Sequence, residues 1–343
     1  METLKLTTES ADIARAARII AAGGLVAFPT ETVYGLGADA LNEAAVAAVY
    51  EAKGRPSDNP MIVHIAAAEE LSRLTADQSE DIRRVTEAFW PGPLTIIVRK
   101  LPAVPDRTTG GLDTVAVRMP ETESARELIR LSGCPIAAPS ANLSGSPSPT
   151  RARDVIADLD GRIDAIICGD DCRVGIESTV LDLTSEEPAI LRPGIITADR
   201  IAEVLGKDVS YDSSLKEAAK HTALDPEKGA QESDFKPKSP GMKYKHYAPK
   251  AQMSIIAGAQ EDVKAEIEKL QAAYEKEGKK VGVILFDETA FAKAAHDLFS
   301  RLRDLDAAGV DVILAGALSD ADGVGFAVMN RMLKSAGYNV IHV

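Results

Sequence analysis

Short apolar runs, each handing the chain to a small polar block, constrain this 343-residue sequence most. Leu25–Phe28 leads into Pro29-Thr30-Glu31-Thr32-Val33-Tyr34-Gly35-Leu36-Gly37, and Pro135–Ala138 leads into Pro139-Ser140-Ala141-Asn142. Met61–Ile65 carries His64 and follows Lys53-Gly54-Arg55-Pro56 and Asn59-Pro60. Glu177-Ser178-Thr179 and Arg192-Pro193-Gly194 flank further runs at Thr179–Leu183 and Ala189–Leu191. Runs of four to six apolar residues suit strands buried on both faces, and polar loops at strand ends are where α/β proteins assemble ligand sites.

Between these strands lie helical patterns. Ile13, Ala17 and Ile20 share a face, with Ser10 as the expected cap and Gly23-Gly24 as the stop. Asn42 is expected to cap a helix that buries Val46, Val49 and Tyr50 and leaves at Gly54. Asp81–Phe89, Arg126–Leu131 and Arg151–Leu159 are further helices, and Leu94–Val98, Thr114–Arg118 and Ile163–Cys168 further strands. Helices and strands do not alternate strictly, which predicts a mixed, twisted sheet with helices packed on it. Periodicity fades after Gly206, and Lys207–Lys250 reads as a polar linker without a clear strand. From Met253 a cleaner strand–helix rhythm returns and ends at Val340–Val343. The expected units are 1–206, a linker over 207–250, and a small α/β domain over 251–343.

The formal charge of −13 argues against a surface built to coat nucleic acid. Local charge differs: Lys236 to Lys250 holds five lysines and no acid, interleaved with Tyr244, His246 and Tyr247. No apolar run reaches membrane-spanning length and the first ten residues lack a signal-peptide core, so a cytoplasmic protein without membrane association is expected. Cys134, Cys168 and Cys172 form neither a disulfide framework nor a CxxC pair, and no metal site is expected.

No Walker or dinucleotide glycine pattern is present, so a bound nucleotide must be held by another device. Lys53, Arg55, Arg118 and Arg192 are candidate cations. Lys53 also suits a helix C-terminal dipole, Arg55 beyond Gly54 suits it less, and Arg118 and Arg192, each taken alone, are more often surface ion pairs. Asn59 is held extended by Pro60. Ser140, Asn142, Ser144, Ser146 and Ser148 make a loop dense in short donors. No nucleophile–base pair or two-metal carboxylate cluster is visible, so chemistry here would rest on positioning and charge stabilisation.

These blocks, with Lys53-x-Arg55 plus Ser140-x-Asn142 and the string from Ser239 to Pro249, resemble the Sua5/YrdC family over essentially the whole chain. The two-unit layout is similar to its long, Sua5-type form: a YrdC-like sheet, a linker, and a small Rossmann-like C-terminal domain. The resemblance implies a nucleotidyltransferase joining L-threonine, bicarbonate and ATP into threonylcarbamoyl-AMP and pyrophosphate, with Mg²⁺ accompanying ATP. Partner proteins would then carry the group to tRNA. It implies that Thr32, His64, Arg118, Ala138 and Ser178 surround threonine. Lys53, Arg55, Asn59, Thr114, Ser140, Asn142, Ser148 and Arg192 would surround ATP, with Tyr244 and Tyr247 closing over it. Lys53, Arg55 and Arg192 would neutralise phosphate charge. Two other functions fit the sequence less well. Carbamoyl transfer on a YrdC-like domain should bring Cys-rich zinc repeats, which are lacking, and an RNA-binding module should bring a broad basic, aromatic face.

Overall fold

The computed structural model describes residues 2–213, 215, 247–318 and 323–343. Eleven strands of the first unit form one sheet: β1 (Leu4–Leu6), β2 (Val26–Phe28), β3 (Gly35–Asp39), β4 (Ile62–His64), β5 (Leu94–Arg99), β6 (Thr114–Arg118), β7 (Ile136–Ala137), β8 (Ala165–Ile167), β9 (Thr179–Asp182), β10 (Ala189–Arg192) and β11 (Ser210–Tyr211). Their order is β1-β8-β2-β3-β7-β4-β6-β5-β9-β10-β11. Parallel pairs such as β4–β6 alternate with antiparallel ones such as β5–β6, so the expected mixed sheet is present.

The first unit's helices are α1 (Ser10–Ala21), α2 (Glu43–Lys53), α3 (Glu80–Phe89), α4 (Asp106–Thr109), α5 (Glu123–Ser132), α6 (Ala152–Leu159) and α7 (Ala198–Leu205). Asn42 caps α2 as expected, accepting from the Ala44 and Ala45 amides, and Gly54 ends it at φ +63°. Ser10 does not cap α1. It is the first helical residue, Glu9 occupies the cap position, and Asp12 reaches back to the Thr7 amide at 2.8 Å.

Strand periodicity decides which face each side chain meets. Ala27, Val63, Val115, Val117 and Ala137 point into a core shared with α2, α3, α6 and α7. Val26, Phe28 and Ile136 point the other way, against Ile13, Ala17 and Ile20 of α1 and Leu128 and Ile129 of α5. On that second face the register sets Ile62 beside Ala116 and His64 beside Arg118. Two charged or polar side chains therefore stand on the sheet face next to the α1/α5 layer.

Three strands were not legible. β1 lies in the opening ten residues, which read only as polar, and pairs parallel to β8. β3 lies inside the block read as a loop, and β11 falls within the stretch read as linker, pairing parallel to β10. The first unit's sheet thus continues past Gly206.

The second unit has four parallel strands, β12 (Gln252–Ala257), β13 (Val281–Ile284), β14 (Val312–Gly316) and β15 (Val340–His342), in the order β13-β14-β12-β15. Its helices are α8 (Gln260–Lys276), α9 (Phe291–Ala308) and α10 (Val324–Ser335). The units share a core: Val33, Val174 and Ile176 of the first pack with Phe299, Leu302 and Val328 of the second. Gly175, at φ +83°, lets the chain pass close under α9, where an added Cβ would lie 2.4 Å from His296 Cα. Arg303 donates to Asp158, and Arg151 and Arg153 to Asp304, across the same boundary. No described helix is long and apolar enough to cross a membrane.

Candidate active site

A narrow cleft, partly open to solvent and with room inside for about 60 Å³ of water, lies on the sheet face that carries His64 and Arg118. Strand ends and loops far apart in sequence supply its walls.

At one end stands Arg118, 3% exposed. Its Nη1 donates to Thr32 Oγ1 at 2.8 Å and its Nε to Gly92 O at 3.2 Å. Its Nη2 lies 2.7 Å from Glu31 Oε1, an ion pair of two buried groups without a directed hydrogen bond. A guanidinium has five N–H donors, so this set leaves capacity for a bound carboxylate. His64 lies alongside, its Nδ1 3.2 Å from Ile62 O. Burial, and then the Arg118 charge, pull its pKa down to about 3, so the ring is neutral at physiological pH. Ala138 and Ser178 complete this end, and the Ser178 hydroxyl lies 2.7 Å from that of Thr95.

Arg55 and Arg192 also line the wall, with Pro139 and Ser140. Arg55 donates to Pro60 O at 3.0 Å, and burial lowers its pKa to about 10, which leaves it charged. Arg192 donates to Ser178 O at 3.0 Å and Ser178 Oγ at 3.1 Å. Tyr247 reaches the cleft from the start of the second unit, with a left-handed backbone at φ +64° and its ring tilted on Phe299. Burial, and then the nearby Glu177 charge, raise its hydroxyl to about 12, so it is protonated.

The wall thus gathers Thr32, Arg55, His64, Arg118, Ala138, Ser140, Ser178, Arg192 and Tyr247 from the expected set. The others stand behind it. Lys53 is buried and donates to the carbonyls of Ser140 and Asn142, which fixes the loop that presents Ser140. Burial, and then the Arg55 charge, lower its pKa. Asn142 turns its amide to Leu143 O and Ser146 O, and Ser148 donates to Glu177 Oε1 at 2.6 Å. Asn59 is buried, its carbonyl accepting from Tyr50, and Thr114 begins β6 on the face of Ala116 and Arg118 without lining the cleft. Tyr244 lies outside the described residues.

Two acids belong to the site although neither was a candidate: Glu31, which balances Arg118, and Glu177, which lines the wall. Both sat inside motif blocks, and only their buried cationic partners mark them. Among the described residues no cluster of His, Cys, Asp or Glu could hold a metal ion.

A family model described as telomere recombination, for Sua5, YciO and YrdC proteins, matches residues 18–194. The chain belongs to the Sua5/YrdC family. A second model, the C-terminal domain of threonylcarbamoyl-AMP synthase, matches residues 196–337, so this is the long, Sua5-type arrangement. The chain is 48% identical to the threonylcarbamoyl-AMP synthase of Pyrococcus abyssi, over 96% of this chain and 95% of that protein. It is 45% identical to the Bacillus subtilis synthase, over 99% and 97%. The crystal structure of P. abyssi Sua5 complexed with L-threonine superposes with a TM-score of 0.89, at 45% identity, covering 100% of this chain and 99% of that one.

Proposed function

We propose that this chain is a threonylcarbamoyl-AMP synthase of the tRNA threonylcarbamoyladenosine route, using L-threonine, bicarbonate and ATP. One observation supports this reading best. A single cleft brings together a neutral histidine, a threonine hydroxyl and a balanced arginine with two further arginines, a serine loop and a tyrosine.

In this reading Arg118 receives the threonine carboxylate on its remaining N–H groups. His64, neutral and with its basicity suppressed, is a hydrogen-bonding wall and not a proton acceptor, since a base far below pH 7 holds no useful driving force. The neutral threonine amine forms a C–N bond to carbon dioxide derived from bicarbonate and releases a proton. The resulting carbamate oxygen bonds to the α-phosphorus as the bond to the leaving pyrophosphate breaks. Arg55 and Arg192 face the phosphates and offset the charge gathering there. Mg²⁺ is part of the nucleotide substrate, carried on its phosphate oxygens. Lys53 acts from behind the wall by holding Ser140 and Asn142. The product would pass in the cytoplasm to proteins that transfer the threonylcarbamoyl group to tRNA.

The test is pyrophosphate release from ATP by purified protein with L-threonine or bicarbonate omitted in turn. Release that requires both, with the mass of threonylcarbamoyl-AMP in the product, supports the reading. ATP binding without release under complete conditions would overturn it.

A further inference from the structure

Arg331 is the largest fully buried side chain of the chain's described part, and it belongs to α10 in the second unit. It does not touch the cleft. Its guanidinium crosses the boundary and binds two loop ends of the first unit. Nη1 donates to Pro193 O and, at 3.2 Å, to Ala327 O of its own helix. Nη2 donates to Glu177 O at 3.3 Å, and Nε to Glu177 Oε2 at 3.2 Å.

One grip, Glu177, itself lines the cleft, and both adjoin a further cleft-lining residue. Pro193 follows Arg192, and Glu177 precedes Ser178. Those neighbours are themselves joined, because Arg192 donates to both the carbonyl and the hydroxyl of Ser178. The other Glu177 oxygen accepts from Ser148, on the serine loop. A buried arginine forked over a carboxylate and two backbone carbonyls gives a rigid geometry that a lysine, with one nitrogen, does not reproduce.

We propose that Arg331 is a positioning residue for the stretch of cleft wall where Arg192 meets Ser178, clamping Glu177 and Pro193 so that Arg192 and Ser178 hold one arrangement. Through this clamp the second unit completes the site. The proposal rests on the synthase reading and deepens it.

The electrostatics agree. Burial opposes ionisation of Glu177, but the Arg331 and Arg192 guanidiniums and the Ser148 hydroxyl hold its pKa below the ordinary value. Removing Arg331 therefore leaves a buried carboxylate short of one partner as well as releasing two carbonyls.

The test compares R331K, R331Q, the double variant R331Q/E177Q and D304N with the parent. D304N weakens the same inter-unit boundary at its exposed rim, where Asp304 meets Arg151 and Arg153. Pyrophosphate release gives kcat and the KM for ATP, and calorimetry without nucleotide gives threonine affinity. R331K and R331Q should lower kcat/KM for ATP by roughly 100-fold, the cost of a misplaced catalytic group, with a smaller fall in threonine affinity, because Arg118, which receives the carboxylate, lies outside the clamp while Ser178 lies within it. D304N should keep parental kinetics. R331Q/E177Q removes the stranded charge, and should fold yet stay as slow as R331Q. Parental kcat/KM in R331K, equal loss in D304N, or recovery of activity in the double variant would each overturn the proposal. If R331Q fails to fold, R331K and the double variant decide the matter. An inactive parent would refute the synthase reading instead.

Discussion

Replacing Glu31 by glutamine removes the carboxylate that balances Arg118 while keeping nearly the same shape. Both side chains are 4% exposed and the charged atoms are 2.7 Å apart, so solvent screens the pair little. Removing one partner of such a pair costs about 3–5 kcal/mol because the other charge stays buried. Glutamine keeps a dipole toward Arg118, which favours the lower figure. For a domain of this size about 3 kcal/mol corresponds to a fall in melting temperature of roughly 6–12 °C. Trp90 is the chain's single tryptophan, buried in the first unit's core with its indole N–H on Leu94 O, so its fluorescence reports this domain's unfolding. L-Threonine supplies a new carboxylate to Arg118. Saturating threonine should therefore raise the midpoint of E31Q by more than it raises that of the parent. A midpoint within about 2 °C of the parent, or the same threonine increment in both proteins, would refute the charge-balance argument.

Three further outcomes are expected. Native His64 sits at about 3, against about 6.5 unfolded. A depressed folded pKa gives stability that is present above pH 6.5 and lost as pH falls toward 3, at about 1.4 kcal/mol per unit. H64Q should flatten the acid side of a melting-temperature profile, and an unchanged slope would show that another group sets it. R55M should raise the KM for ATP by roughly 10–100-fold with the fold intact, the order of one lost charged hydrogen bond. K53M should instead lower stability by about 1–3 kcal/mol by stranding two carbonyls, and paired denaturant and kinetic titrations separate the two. G175A meets both a positive φ and the α9 backbone. It should cost about 2–5 kcal/mol and expose the boundary between the units to limited proteolysis, and parental resistance would count against tight apposition there.

Much of this site could be read from the chain because each polar block sits at the end of a strand whose apolar run is plain. Thr114–Arg118 is found where the alternation places it, and Asn42 caps α2. β3 escaped because Gly35-Leu-Gly-Ala-Asp reads as a turn. Its glycines are there to admit neighbours, for a Cβ on Gly37 would lie 2.8 Å from both the Phe28 ring and Ile136. Lys53 reads as a phosphate ligand or a helix-end charge, and its contacts with the Ser140 and Asn142 carbonyls, 87 and 89 residues away, leave no trace in composition. Glu31 and Arg118 are 87 residues apart, and Glu177 and Arg331 are 154 apart. No local pattern marks either pairing, and Arg331 in its helix reads as an ordinary exposed cation.

The cations of the cleft are already bound to the protein: Arg118 to Glu31 and Thr32, Arg192 to Ser178, Arg55 to Pro60. Folding free energy, and not substrate, keeps these buried charges aimed. Well-packed apolar replacements of buried ion pairs are often neutral or stabilising. A selection for heat resistance alone would therefore drift toward sturdier chains with an apolar, silent cleft. Any programme to harden this protein has to score turnover in every round.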